Sequence, residues 1–409
     1  VKLLPRLEVD TFHPTATPDG LSSSAVLDSP VERTLSEHGL EALLRALAQD
    51  GYTLIGPTLR EGAISYAPIE GLDDMPRGVT EEQSAGHYRL RQTSQPSRFR
   101  FAATAHSFKR FFHPPEVRLF SLRKSEQGPV LIAPSRQTPK LALVGARACD
   151  IAALGVLDGV LGAASHPHPD YVTRRKDVIV IAVNCSLAGG TCFCRSAGTG
   201  PRVTRDFDVA LSELLVDGAP QFLARAGSVT GERLLQRVPG RAARAEDQAA
   251  AEASSRACEA ELDQRAVDLS RARESLQANP EHSHWQAVAE RCLACGNCTA
   301  VCPTCFCTDR VESNDADGLP GQSEIWDSCF TADFSHLHGG AVRSSTRSRY
   351  RQWLSHKFST WHDQFGSSGC VGCGRCITWC PVGIDVRAEL MSLGAAGERP
   401  VPPAIEDGS

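Results

Sequence analysis

The sequence predicts an α/β (or α+β) domain in the N-terminal half, followed by an all-helical C-terminal domain organised by cysteine. Three observations carry that expectation. Short apolar, β-branched runs at 130–133, 141–144 and 178–183 enclose a helix-like stretch, Asp150–Leu161, the strand–helix–strand order of an α/β unit. The segment 241–277 is rich in Ala, Glu and Arg and free of Gly and Pro, a composition for one long helix or a helical hairpin. Near the C-terminus one pattern, C-x2-C-x2-C-x3-C-P, occurs twice: Cys292, Cys295, Cys298, Cys302 with Pro303, and Cys370, Cys373, Cys376, Cys380 with Pro381.

Taken in order, residues 1–30 are rich in Pro, Ser and Thr without a clear period and read as an extended arm. The α/β domain then spans 31–235. It opens with a helix over Val31–Asp50, whose Leu35, Leu40, Leu43, Leu44 and Leu47 recur at helical spacing. A hairpin follows over Tyr52–Ile69, turning at Arg60, Glu61 and Gly62. Residues 236–283 form a helical linker, 284–390 the cysteine-bearing domain and 391–409 a tail. The spacer between Cys302 and Cys370 is long for a compact bacterial ferredoxin. Its helix-compatible runs at 327–338 and 349–365 favour an all-helical dicluster ferredoxin domain.

The repeated pattern is the bacterial run that holds cubane iron-sulfur clusters, its fourth cysteine ligating the other cluster. One 4Fe-4S cluster is therefore assigned to Cys292, Cys295, Cys298 and Cys380, and a second to Cys370, Cys373, Cys376 and Cys302. Zinc is the alternative that any CxxC raises. Zinc needs four ligands, whereas here eight cysteines fall into two identical quartets, proline included.

Four further cysteines lie in the N-terminal half: Cys149 after one strand, Cys185 ending the next, and Cys192 and Cys194 in the loop AGGTCFCRSAGTGP. Adjacent parallel strands would bring them together as a candidate third iron-sulfur site, with Gly189, Gly190, Gly198 and Gly200 letting backbone amides approach. The competing reading is four ordinary buried thiols. Cys258, alone in the Ala-rich segment, reads as structural or incidental. Cys305, Cys307 and Cys329 read as packing around the clusters, the alternative being a further site that Cys305 and Cys307 complete with Cys329.

The charge balance, 43 Lys plus Arg against 48 Asp plus Glu for a net −5, argues against a general nucleic-acid binder. The basic, aromatic stretch 343–365 is read as packing for the cluster domain, with charges that offset the clusters or face an acidic partner. VKLLPRLEVD lacks an apolar h-region, and the most apolar stretch, 141–164, is broken by Arg147, Asp150 and Asp158. Cytoplasmic placement with reduced thiols and no membrane span is expected. No G-x-G-x-x-G or P-loop accompanies the clusters, and no catalytic constellation is evident. His282, His284, His336, His338 and His362 flank two quartets that are already complete. An electron carrier without an organic redox centre of its own is implied.

FFHPPEVRLF (111–120), VGARACDIAALGVLDGVL (144–161), DYVTRRKDVIVIAVNC (170–185), GGTCFCRSAGTGP (189–201), RCLACGNCTAVCPTCFC (291–307) and CVGCGRCITWCP (370–381) resemble one family. It is the iron-sulfur β subunit of cytoplasmic NAD(P)-linked NiFe hydrogenases, the sulfhydrogenases, and it also takes in the A subunit of anaerobic sulfite reductase. The likeness runs from Leu35 to Ile384, the TCFC loop and CPTCFC being its most distinctive parts; the 241–277 stretch and the Pro/Ser-rich start look like insertions. The resemblance implies a non-catalytic electron-transfer subunit. Its partners would be hydrogenase large and small subunits and a flavin subunit that exchanges hydride with NAD(P). A sulfite reductase subunit and a free-standing dicluster ferredoxin are the alternatives, the large N-terminal domain speaking against the latter.

Overall fold

A computed structural model describes residues 30–134, 138–163, 165–314 and 320–394; most of the arm at 1–30 and of the tail at 391–409 lies outside the described residues. The strands, in chain order, are β1 (Glu32–Ser36), β2 (Tyr52–Arg60), β3 (Ala63–Pro68), β4 (Val79–Ser84), β5 (His87–Gln92), β6 (Glu116–Ser125), β7 (Gly128–Ile132), β8 (Lys140–Ala146), β9 (Ile179–Val183), β10 (Val209–Val216), β11 (Ala219–Ala226), β12 (Arg241–Ala242), β13 (Thr308–Asn314), β14 (Pro320–Trp326), β15 (His336–Leu337) and β16 (Gly340–Ala341).

Eight of them form one mixed sheet in the order β12-β1-β11-β10-β9-β8-β2-β3. Its centre is parallel, with β2 on β8, β8 on β9 and β9 on β10, and its flanks are antiparallel. Alternation along the central strands divides the core between the two faces. Ala142, Val144, Ile179, Ile181 and Val183 meet the leucines of helix Glu37–Gln49, whereas Leu141, Leu143, Val180 and Ala182 meet Ile151, Leu154 and Leu157. The 31–50 region is not helical throughout. Residues 32–36 pair with β11, and Ser36 then caps the helix by accepting a hydrogen bond from the Gly39 amide at 3.4 Å.

Two expectations need correction. The 130–133 run is an exposed edge strand of a second, four-stranded sheet, β13-β14-β6-β7, with Leu131 60 % exposed. The C-terminal region is not all-helical either. Its insertion contributes β13 and β14 to that sheet, and 327–338 holds turns and a 3-10 turn, Asp333–Ser335, beside the β15–β16 ladder. The reason is tertiary: β14 completes its ladder with β6, from the N-terminal half. Helical structure does occupy Thr346–Ser355, His356–Thr360 and Trp361–Phe365. The 241–277 stretch divides into β12 and helices Ala245–Asp263 and Ala272–Ala278. Among the described residues no helix is long and apolar enough to cross a membrane.

His113 sits where the two sheets meet. Its carbonyl accepts from Trp326 Nε1 at 3.1 Å, and its ring is 3 % exposed. Burial, reinforced by the Lys109 ammonium, pushes its imidazole down to about 4. An unfolded chain would protonate near 6.5, so stability is lost as pH falls from about 6.5 towards 4. His113→Gln is therefore expected to recover about 1.5 kcal/mol of the loss between pH 6.5 and pH 5. Equal losses in both proteins, measured by chemical denaturation at the two pH values, would refute this account.

Candidate functional site

The two cysteine runs fold as local copies. Ala294 and Gly372, then Gly296 and Gly374, occupy the left-handed region at equivalent positions (φ 51° and 62°, 72° and 76°). The turn so formed lets the Ala294 amide donate to Cys292 Sγ and the Gly372 amide to Cys370 Sγ, each at 3.4 Å. Short helices, Asn297–Ala300 and Arg375–Thr378, then present the third cysteine of each run. The Ile384 amide donates to Cys380 Sγ at 3.3 Å.

Two cavities open between these loops. One is lined by Cys292, Cys295, Cys298 and Cys380, walled by Phe330 and Tyr350. The other is lined by Cys302, Cys370, Cys373 and Cys376, with Lys357 and Phe358. Cys376, Trp353 and Val386 line both, so single side chains separate them. Burial pushes the Cys370 thiol up to about 12 and raises Cys298 and Cys376 well above the ordinary range. Thiols this buried ionise only against a positive centre, which suits a metal-thiolate assembly. Among the described residues no three His, Cys, Asp or Glu side chains close on one point, as they would around a single ion. The sulfurs instead stand round cavities, a donor set that fits a polynuclear cluster with one thiolate at each corner.

Buried cations accompany the second cavity. Lys357 donates to Thr304 Oγ1 at 3.0 Å and to the Gly369 carbonyl at 3.3 Å; burial opposes its charge, but the Cys302, Cys305 and Cys370 sulfurs hold it above its ordinary value. A hydrogen bond from Cys305, then the Lys357 ammonium, holds Cys302 well below the usual thiol range. Arg375 donates to Asp150 at 2.7 Å, with both side chains 1 % exposed, and to the Thr104 carbonyl at 2.8 Å.

The TCFC loop rests directly on the second run. The Phe193 amide donates to the Gly372 carbonyl at 2.8 Å, Thr199 Oγ1 to the Val371 carbonyl at 2.6 Å, and Thr191 Oγ1 lies 2.6 Å from Thr378 Oγ1. A Cβ at Gly372 would stand 2.6 Å from the Phe193 carbonyl, and one at Gly374 2.5 Å from that of Thr191. Besides their φ, these glycines thus admit the loop. Cys149, Cys192 and Cys194 pack with Cys258 and Cys373 in one buried cluster, Cys185 at its margin.

Residues 291–384 match the family described as a 4Fe-4S dicluster domain. Over 283 residues, 68 % of this chain and 79 % of the relative, the chain is 30 % identical to sulfhydrogenase 2 subunit beta of Pyrococcus furiosus. The chain belongs to the sulfhydrogenase β-subunit family. No solved structure matches it. This sulfhydrogenase β-type chain is thus an iron-sulfur electron-transfer subunit.

Other residues of this β-type subunit fall into place around the cavities. Cys305 and Cys307, with Cys295, line a more open cavity, and Cys329 packs beside Cys298. Tyr350, Trp353, Phe358 and Trp361 of the basic, aromatic stretch are buried, whereas Arg347 and Arg351 pair with Glu281, each at 2.6 Å. None of the five histidines near the cysteine runs lines either thiol cavity; His284 instead meets Glu389 at 2.6 Å. The buried charges Arg147, Asp150 and Arg375 went unassigned in the sequence. Such a charge shows its role only through its partner.

Proposed function

We propose that this chain relays electrons between a NiFe hydrogenase module and a flavin module that reacts with NAD(P), within a cytoplasmic hetero-oligomer. The adjoining pair of thiol-lined cavities carries the reading. In it, Cys292, Cys295, Cys298 and Cys380 would hold one 4Fe-4S cluster, and Cys302, Cys370, Cys373 and Cys376 the other. The N-terminal thiols would hold a third iron-sulfur group. When bound, the clusters supply reversible one-electron capacity. The protein's part is electrostatic and steric. Phe330, Tyr350, Trp353 and Phe358 exclude water. The Ala294, Gly372 and Ile384 amides donate to sulfur, and Lys357 and Arg375 add positive charge; both effects favour the reduced, more negative state. Iron-sulfur proteins of several complexes share such sites, and the name of the relative at 30 % identity favours the hydrogenase.

Affinity purification of the tagged chain from its host under anaerobic conditions tests this. Co-purification of hydrogenase large and small subunits and a flavin subunit, with H2-dependent NAD(P) reduction, is the expected result. A sirohaem-binding partner, or a stable monomer with full iron content, would overturn it.

A further inference from the structure

We propose that Cys258, carried in by the Ala245–Asp263 helix, completes the N-terminal iron-sulfur site with Cys185, Cys192 and Cys194, and that Cys149 lies outside the ligand set. This rests on reading those thiols as an iron-sulfur site and changes which residues build it.

The helix is held onto the cysteine loop along its length. Arg202 of the loop donates to Glu259 at 2.5 Å and to Glu252 at 2.9 Å, and Arg195 to Asp263 at 2.5 Å. Just past the helix, Arg265 donates to the Gly189 carbonyl at 2.7 Å and the Val267 amide to Ser196 Oγ at 3.0 Å. The clamped face is small and buried: Ala251, Ser255, Cys258 and Leu262 follow one another at helical spacing. Cys258 is the thiol on that face, 1 % exposed, and it packs with Cys192 and Cys194.

The neighbourhoods of the thiols separate the candidates. Each of Cys185, Cys192, Cys194 and Cys258 lies close enough to the other three for direct electrostatic interaction. Cys149 belongs to the same buried cluster, but its strongest electrostatic neighbours are Asp150, Cys194 and, on its other side, Cys373 of the second cavity. A cluster needs mutually adjacent sulfurs, and Cys149 stands between two such groups.

A second, independent observation concerns charge. Arg147 is 1 % exposed and lies beside Cys185. Its Nη2 donates to the Phe99 carbonyl at 2.7 Å, but Nε and Nη1 have no partner, and among the described residues no carboxylate lies within ion-pair distance. Glu81 and Asp150 attract it only from beyond ion-pair distance, and Phe101 lies under its guanidinium at 4.7 Å; a buried guanidinium with no direct anionic partner is costly. Thiolates around an anionic cluster at Cys185 would provide the missing partner, with charge-assisted N–H···S contacts.

The test uses the full-length protein, purified anaerobically, with iron, acid-labile sulfide and the EPR of the reduced state as readouts. Wild type is expected to hold about ten to twelve irons. Cys258→Ala is expected to lose about two to four of them with one EPR signal, keeping both motif signals, whereas Cys149→Ala keeps the full count. Cys258→Ser, which preserves volume, should remove or shift the same signal alone. Unchanged iron and EPR in the Cys258 variants, or loss of the third signal in Cys149→Ala, would overturn the assignment of Cys258 while leaving a third site standing. A wild-type count of about eight irons would instead remove the third site altogether.

Discussion

In the proposed hydrogenase complex, Cys373→Ser is expected to cut H2-dependent NAD(P) reduction by at least about 10–100-fold, while H2-dependent dye reduction at the hydrogenase module stays near wild type. The asymmetry follows from position. Cys373 lines the second cavity, which shares Cys376, Trp353 and Val386 with the first, and its carbonyl lies 3.8 Å from Cys192 Sγ of the N-terminal group. It therefore stands at the middle of the three thiol groups, where a defect interrupts any path that uses both ends. Dye that takes electrons upstream bypasses it. Loss of the second group would also leave the Lys357 ammonium buried beside sulfurs that no longer carry charge, so the variant should lose thermal stability as well. Iron content should fall by about four per chain. Unchanged NAD(P) reduction together with a full iron count would exclude Cys373 from both ligation and relay.

How much of this was legible depended on whether the controlling interaction was local. The loops carrying the eight C-terminal cysteines could be read because spacing builds them locally: a left-handed residue on either side of the second cysteine, then a one-turn helix presenting the third thiol. The hairpin of β2 and β3 was legible for the same reason, its turn set by Glu61 and Gly62 at positive φ. Pairing across the chain was not. β14 is a strand because β6 offers it an edge, and β1 because β11 does. Cys258 looked solitary because what brings it to the other thiols is a row of ion pairs from Arg195 and Arg202, which no spacing rule encodes. The glycines of the second run illustrate the mixture, being demanded locally by φ and globally by the TCFC loop resting on them.

The largest stability effect is expected at the Arg375–Asp150 pair, which joins the second cysteine run to the first turn of helix Ala148–Leu157. Asp150 also accepts from Tyr66 Oη at 3.0 Å and from the Arg147 amide at 3.2 Å, so its carboxylate is the shared anchor of a fully buried network. Asp150→Ala leaves the Arg375 guanidinium with the Thr104 carbonyl and hydroxyl and the Cys373 sulfur but no carboxylate, and should cost about 3–5 kcal/mol. Arg375→Met with Asp150→Asn removes both charges and should cost clearly less than the two single changes summed, since neither ion is left unpaired. Denaturant titration of the four proteins measures that coupling; strict additivity would show that the pair does not hold the two regions together. The same variants report on redox tuning. Arg375 lies against Cys373, so its loss should lower the reduction potential of the second cluster in an EPR-monitored titration, because the reduced state is the more negative one and loses its nearest fixed cation. A potential that rises or stays fixed in Arg375→Met would separate the structural role of this arginine from any role in electron transfer.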